Sequence, residues 1–375
     1  MPGQVRLDEL AGRLRARSRP LTLAALGQEG RAVALPAADL EVRRRFVVGL
    51  RRASLAFWLV LTVAVAAAFV GWVRQVERGF VTADRPGGVE AFLPLSALLS
   101  LRHLWETGAI SPVRPAGFAI FLAVAATGVL LKRAFCSWVC PVGAISEALA
   151  ALSRRLFRRK LALPKWLDYP LRSLKYLLLF SFASAIFWKM SAHDVAFFLD
   201  SPYNRVADVK MLYFFERLSP VAAKVLLALA ALSVAVPYFW CRYLCPYGAL
   251  LGFLSLLSPL KITRDPVSCI DCGLCTKACP THLPVARLGR VRSDECFGCL
   301  SCVAACPVPR ALRVETPPFW RRAIRPAAFA ALVLFLFGGT LVAAKAAGVW
   351  RTSVSDEEYV RRVRDLDAPE YGHPR

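Results

Sequence analysis

The residues able to do chemistry in this chain are its twelve cysteines, and all of them fall in four short motifs. Cys269-Ile-Asp-Cys272-Gly-Leu-Cys275-Thr-Lys-Ala-Cys279-Pro280 reads C-x2-C-x2-C-x3-C-P. Cys296-Phe-Gly-Cys299-Leu-Ser-Cys302-Val-Ala-Ala-Cys306-Pro307 repeats it 27 residues later. In such runs three closely spaced thiolates cap one [4Fe–4S] cluster, and the fourth cysteine reaches across to the other. On that rule Cys269, Cys272, Cys275 and Cys306 ligate one cluster, and Cys296, Cys299, Cys302 and Cys279 ligate the second. Zinc sites instead pair cysteines as two separate knuckles or with histidine. Disulfides are disfavoured in a reducing cytoplasm.

A second duplicated motif lies upstream. Cys136-Ser-Trp138-Val-Cys140-Pro141-Val-Gly143-Ala144 and Cys241-Arg-Tyr243-Leu-Cys245-Pro246-Tyr-Gly248-Ala249 both read C-x-aromatic-aliphatic-C-P-x-G-A, 105 residues apart. Proline suits the first position of a helix, which places Cys140 and Cys245 at helix N-caps. The positive end of a helix favours thiolate. Cys136, Cys140, Cys241 and Cys245 therefore form a possible third redox or metal site. A third metal or Fe–S centre, a dithiol–disulfide couple and inert buried cysteine all remain open, though packing alone does not demand two cysteines twice.

The elements that must position these motifs are helices in a membrane. The chain has 375 residues, 57% of them hydrophobic, against roughly 45–50% in soluble domains. Five apolar runs, about 53–73, 115–132, 171–190, 220–240 and 326–346, approach the ~20 residues that cross a bilayer. A shorter run, Val89–Leu101, reads as an interfacial or re-entrant helix. Each upstream cysteine motif follows an even-numbered run, so the first four runs form a duplicated two-span unit. The fold class expected is an α-helical integral membrane protein of about five transmembrane helices. Into it is inserted a cytoplasmic two-[4Fe–4S] bacterial ferredoxin-like α+β module. The divisions expected are a basic N-terminal segment (1–52), a four-span core (53–264), the ferredoxin-type domain (265–318), a fifth helix (319–346) and an extracytoplasmic tail (347–375).

The formal net charge of +23 is distributed as a membrane protein distributes it. Residues 1–52, 132–175 and 241–325 hold 11, 10 and 12 Lys and Arg, whereas 74–114 and 189–217 hold 5 and 4. Positive-inside then puts the N-terminus and all cysteine motifs in the cytoplasm and the C-terminus in the periplasm of a bacterial cytoplasmic (inner) membrane. Basic runs such as Arg154, Arg155, Arg158, Arg159 and Lys160 read as lipid-facing. They lack the aromatic interleaving of nucleic-acid binding, so no nucleic-acid partner is expected. Val5–Arg17 has helical periodicity and reads as a surface helix.

Four histidines, His103, His193, His282 and His373, do not supply the paired axial ligands inside helices that a membrane haem needs. His193-Asp194 reads as a loop anchor, with a proton acceptor for quinol as the sharper alternative. Asp200-Ser-Pro-Tyr203-Asn204 reads as a turn. No flavin or nicotinamide motif is present, and no acid–base catalytic residues stand out.

Two C-x3-C-P motifs at membrane helix ends followed by two ferredoxin motifs resemble the membrane-bound polyferredoxins. That group includes NapH-type quinol dehydrogenase subunits, the methylamine-utilisation ferredoxin, the regulator NosR and CcoG/RdxA-type oxidase-assembly proteins. The resemblance covers about residues 50–345. It is not expected to extend to the extracytoplasmic flavin domain of the regulator type or to the terminal immunoglobulin-like domain of the assembly type. It implies an electron-transfer subunit of an oxidoreductase, working between the quinol/quinone pool or a cytoplasmic electron donor and a redox partner protein on the periplasmic side. Two rival readings are an assembly or maturation factor that reduces a metal or thiol for a respiratory metalloenzyme, and a redox-sensing regulator.

Overall fold

The computed structural model describes residues 34–157, 163–317, 319–320 and 322–372. The expected helix at Val5–Arg17, the residues Arg158, Arg159 and Lys160, and His373 lie outside the described residues. In chain order the longer helices are α1 (Ala37–Glu77), α2 (Pro94–Thr107), α3 (Pro115–Leu131), α4 (Pro141–Leu156), α5 (Lys165–Ser184), α6 (Pro220–Ala235), α7 (Pro246–Leu257), α8 (Pro326–Ala346) and α9 (Asp356–Arg364). Six of them, α2, α3, α4, α6, α7 and α8, begin on proline. Its missing N–H costs nothing at that position.

All five apolar runs are helical. Three helices, Ala37–Glu77, Trp166–Lys189 and Pro326–Ala346, are long and apolar enough to cross a membrane. A fourth is added if Ala207–Glu216 and Pro220–Ala235, bent by 81°, count as one span. The second and fourth runs are shorter as helices than as apolar stretches, at 17 and 16 residues. The chain itself ends them. Lys132 takes a φ of 65° after α3. Pro237 cannot continue α6, and Tyr238 follows with a φ of 62°. Phe57, Val60 and Val63 on α1 and Phe335 and Val342 on α8 are exposed, as side chains facing lipid are.

The 41-residue α1, about 60 Å long at 1.5 Å per residue, joins two cores. Near its start Val47 enters a core shared with α3, α8 and the ferredoxin segment. Leu35 donates its N–H to the Pro307 carbonyl at 2.8 Å. Near its end Phe69, Trp72, Val73 and Val76 pack with Val89, Val113, Val209 and Tyr359.

Segments 74–114 and 189–217, between the apolar runs, are folded at this far end into α2, Ala192–Asp200, Pro202–Arg205 and Ala207–Glu216. The run Val89–Leu101 is split at Leu93 between a 3-10 turn, Gly87–Phe92, and α2. Four buried charges bind these pieces. Arg85 pairs with Asp208 at 2.6 Å and Glu90 at 2.9 Å, and Arg114 pairs with Asp208 at 2.9 Å. Buried charges persist only when paired. The tail helix α9, capped by Ser355, docks there through Tyr359, whose hydroxyl donates to Asp208 at 3.2 Å.

At the opposite end a three-stranded antiparallel sheet frames the ferredoxin segment. β1 (Lys261–Arg264) pairs with β2 (Leu312–Glu315) in the register Lys261↔Glu315, and β2 pairs with β3 (Ala323–Ile324). Short helices Leu274–Ala278 and Ser301–Ala304 follow the second cysteine of each motif.

Candidate iron–sulfur sites

Two cavities open in the ferredoxin segment. One, of about 370 Å³ including its open mouth, is lined by Cys269, Cys272, Cys275 and Cys306. The other, of about 320 Å³, is lined by Cys279, Cys296, Cys299 and Cys302. The motif backbones are alike. Asp271 and Gly298 occupy the same motif position and both have positive φ, as do Gly273 and Leu300 two residues on. These left-handed residues curl the chain around each cavity. Leu300 holds a conformation unfavourable for a side chain and is fully buried. Four thiol donors around each largely apolar cavity, with Arg264 also lining the first and Thr281 the second, fit an iron–sulfur cluster. The cysteines of the first cavity are half-buried, whereas Cys279, Cys296, Cys299 and Cys302 are buried.

The four upstream cysteines are also brought together. The thiol of Cys140 lies within electrostatic reach of Cys136, Cys241 and Cys245. Cys140 and Cys245 are the N-caps of α4 and α7, and Cys245 Sγ accepts from the Gly248 N–H at 3.3 Å. The glycine of each motif has a steric reason. A Cβ on Gly143 would stand 2.1 Å from the Cys136 carbonyl oxygen, and one on Gly248 would stand 3.0 Å from that of Cys241. The chain doubles back on itself so tightly that only glycine fits.

The expected lowering of these thiol pKa values is not found. Burial pushes Cys241 up to about 12 and raises Cys140 and Cys245, outweighing the helix-end amides. A bound cation reverses that sign, since coordination deprotonates a thiol. Among the described residues no three His, Cys, Asp or Glu converge as a single ion requires. The ferredoxin cysteines share this property, as ligands spread around a multi-iron cluster must. Four thiols without carboxylate or imidazole form a soft donor set that suits an iron–sulfur centre.

The upstream and ferredoxin motifs are docked on each other. Cys241 and Cys299 belong to one small core with Phe297, Tyr238 and Ala150. Trp138 Nε1 donates to the Gly298 carbonyl at 3.1 Å, and Ser137 Oγ donates to that of Phe297 at 2.7 Å. In the second copy Tyr243 instead donates to Asp168 at 2.5 Å, tying the motif to α5. Arg133, fully buried, donates to the carbonyls of Asp294 at 3.2 Å and Cys241 at 3.3 Å and lies over the Phe297 ring. Lys175 pairs with Glu295, and Tyr176 donates to Asp294. Sequence reading missed Arg133, Trp138, Lys175 and Glu295 as parts of the site.

Asp194 forms a capping box with Ser191. His193 stacks on Phe197, with ring centroids 6.4 Å apart. Asp200–Asn204 contains Ser201, which caps the short helix Pro202–Arg205. None of these residues lines the cysteine sites.

Comparison with known proteins agrees with this arrangement. A 4Fe-4S binding domain matches twice, at residues 113–161 and 219–264, each match holding one upstream cysteine pair. A 4Fe-4S dicluster domain matches residues 261–307. The chain is 42% identical over 329 residues to the Escherichia coli protein named "Putative electron transport protein YccM", covering 86% of this chain and 91% of that one. The chain belongs to the membrane-bound polyferredoxin family. This polyferredoxin is also 34% identical to protein NirI of Paracoccus denitrificans over 62% of its own length and 32% of NirI. It is 27% identical to the ferredoxin-type protein NapH of Haemophilus influenzae over 56% of its length and 69% of NapH. No solved structure matches it. The polyferredoxin is thus a membrane iron–sulfur protein of electron transfer.

Proposed function

We propose that this polyferredoxin is a membrane-anchored relay with three cysteine-held centres in series. Cys269, Cys272, Cys275 and Cys306 hold the outermost [4Fe–4S] cluster, and Cys279, Cys296, Cys299 and Cys302 hold the middle one. Cys136, Cys140, Cys241 and Cys245 hold a third iron–sulfur centre at the membrane face. Such a cluster, when bound, accepts and releases an electron. The chain supplies the spacing, the burial and the hydrogen bonds around each centre.

The observation that carries this reading is the shared core of Cys241 and Cys299 around Phe297, which puts the membrane site against the middle cavity. The outermost cavity is the more exposed, so it faces a soluble donor or partner. The membrane site lies beside apolar helices, where quinol or quinone dissolves. The alternation of basic segments supports five traverses of a bacterial inner membrane, with the ferredoxin end cytoplasmic and α9 periplasmic. The helices support it too. α1, α3, α5, α6 and α8 run in turn between the end that holds the cysteines and the end that holds Asp208.

Anaerobic purification with iron and sulfide determination tests the centre count. About twelve irons per chain are expected from three [4Fe–4S] clusters. About four should be lost in a Cys136→Ser/Cys241→Ser variant that keeps the ferredoxin EPR signals. About eight irons in the parent protein would overturn the third centre. EPR during reduction by a quinol analogue, compared with reduction by a soluble low-potential carrier, identifies the donor.

A further inference from the structure

We propose that Arg133 is the residue that sets the reduction potential of the membrane-face centre, by placing one buried positive charge between it and the middle cluster. The inference rests on the reading of Cys136, Cys140, Cys241 and Cys245 as an iron–sulfur site.

Three observations carry it. The Arg133 side chain is wholly buried and acts electrostatically on Cys136, Cys241 and Cys245, three of the four thiols. Its guanidinium is fixed by bonds to backbone carbonyls on both sides of the seam, Cys241 at 3.3 Å and Asp294 at 3.2 Å, and by the Phe297 ring 4.6 Å away. Its charge is incompletely cancelled. Of its carboxylate neighbours, Glu295 stands 3.8 Å away and makes its close pair with Lys175, and Asp294 takes the Tyr176 hydroxyl. Arg51, the buried arginine near Cys299, is by contrast paired with Glu147 at 3.0 Å.

Four thiolates around an iron–sulfur core carry net negative charge, and each added electron deepens it. In a buried site that charge is costly unless a cation stands near. A fixed positive charge favours the reduced state, which raises the potential. The duplicated motif marks the role as specific to one copy. The residue three before Cys136 is Arg133, and the residue three before Cys241 is Tyr238; the buried cation of the second copy, Arg242, is paired with Asp168 at 2.8 Å. Arg133 is a positioning residue: it touches the ligand strands and holds charge at a defined place.

The test is an EPR-monitored redox titration of the intact detergent-solubilised protein and its Arg133→Gln, Arg133→Lys and Glu295→Gln variants, each with its iron content. Arg133→Gln should make the membrane centre harder to reduce. The reduced-to-oxidised ratio at fixed ambient potential should fall at least tenfold, which is about 59 mV for a one-electron couple. Arg133→Lys should restore most of that loss. Glu295→Gln, which removes the neighbouring anion, should move the same centre the opposite way. The outermost cluster should not move. Twelve irons with an unmoved potential, or equal shifts in Arg133→Gln and Arg133→Lys, would overturn the inference alone. Eight irons in the parent would overturn the third-centre reading and the inference with it. If Arg133→Gln fails to assemble, the upward shift in Glu295→Gln decides, and its absence counts against the charge.

Discussion

Trp138 donates its indole N–H to the carbonyl of Gly298 at 3.1 Å, so one buried bond joins the first membrane cysteine motif to the second ferredoxin motif. Gly298 stands two residues from Cys296 with a φ of 63°, where the chain bends around the middle cavity. The aromatic of the C-x-aromatic-aliphatic-C-P motif is thus a dock as well as a packing group. Ser137 adds a second bond to the same turn.

Replacing Trp138 with Phe keeps much of the apolar bulk and removes the donor. The Gly298 carbonyl then loses its partner in a dry setting, a loss of about 1–3 kcal/mol. The expected result is a lower melting temperature of the solubilised protein with iron content retained. Electron transfer between the ferredoxin clusters and the membrane centre should slow more than reduction of the outermost cluster. Flash-reduction kinetics on the parent protein and the variant check this.

Gly143 should tolerate no side chain. A methyl group there meets the Cys136 carbonyl oxygen at 2.1 Å, and a backbone atom cannot swing aside. Gly143→Ala is expected to displace Cys136 and lose the iron of the membrane site, or to abolish recovery of folded protein. Gly338→Ala in α8 is the control. Nothing lies within 4 Å of the added methyl, and alanine is favoured over glycine in a helix by about 1 kcal/mol. Iron per chain and yield after size-exclusion chromatography distinguish the two.

What the sequence made legible was local. The cysteine spacings, the N-cap position of Cys140 and Cys245, and the five apolar runs are all set within a few turns of chain. What it hid was the docking between distant pieces. Arg133 and Lys132 read as two more cations in a basic juxtamembrane stretch, yet both are buried against residues 293–298. The available signal was asymmetry in the duplication, Lys132-Arg133 before one cysteine pair and Pro237-Tyr238 before the other. The end of α6 was read too late because the hydropathy runs past it, while the backbone at Pro237 and Tyr238 stops the helix. The tail was hidden differently. Ser355 with Glu358 three residues on is the pattern of a capped helix start, but its reason for folding, Tyr359 against Asp208, comes from far along the chain.

Lys261 makes stability depend on alkaline pH. Its ammonium donates to the Ser255 and Leu256 carbonyls at the end of α7, at 3.0 and 2.8 Å. Burial, and then the nearby charge of Lys132, lower its pKa from 10.5 to about 8. Between these values the unfolded chain binds more protons than the folded one, so stability rises with pH across that window and is flat below it. Lys261→Met removes the dependence. The melting temperature of the parent should therefore gain on that of Lys261→Met between about pH 8 and about pH 10. A gap that narrows as pH rises would contradict the assignment.

Asp208 should be the most sensitive charge at the far end of the molecule. It is the shared partner of Arg85 and Arg114 and takes the Tyr359 hydroxyl as well. Asp208→Ala leaves two buried guanidiniums with Glu90 as their common carboxylate, and breaking a buried pair in this way costs about 3–5 kcal/mol. Asp208→Asn keeps an acceptor but not the charge and should fall between. Because Tyr359 anchors α9, the loss should appear first as trypsin cleavage at Arg361 and Arg362, on the periplasmic side of right-side-out vesicles in the proposed topology. The ferredoxin clusters, at the opposite end of α1, should keep their EPR signals in the same preparation. Simultaneous loss of the clusters would mean that the two cores joined by α1 unfold as one unit.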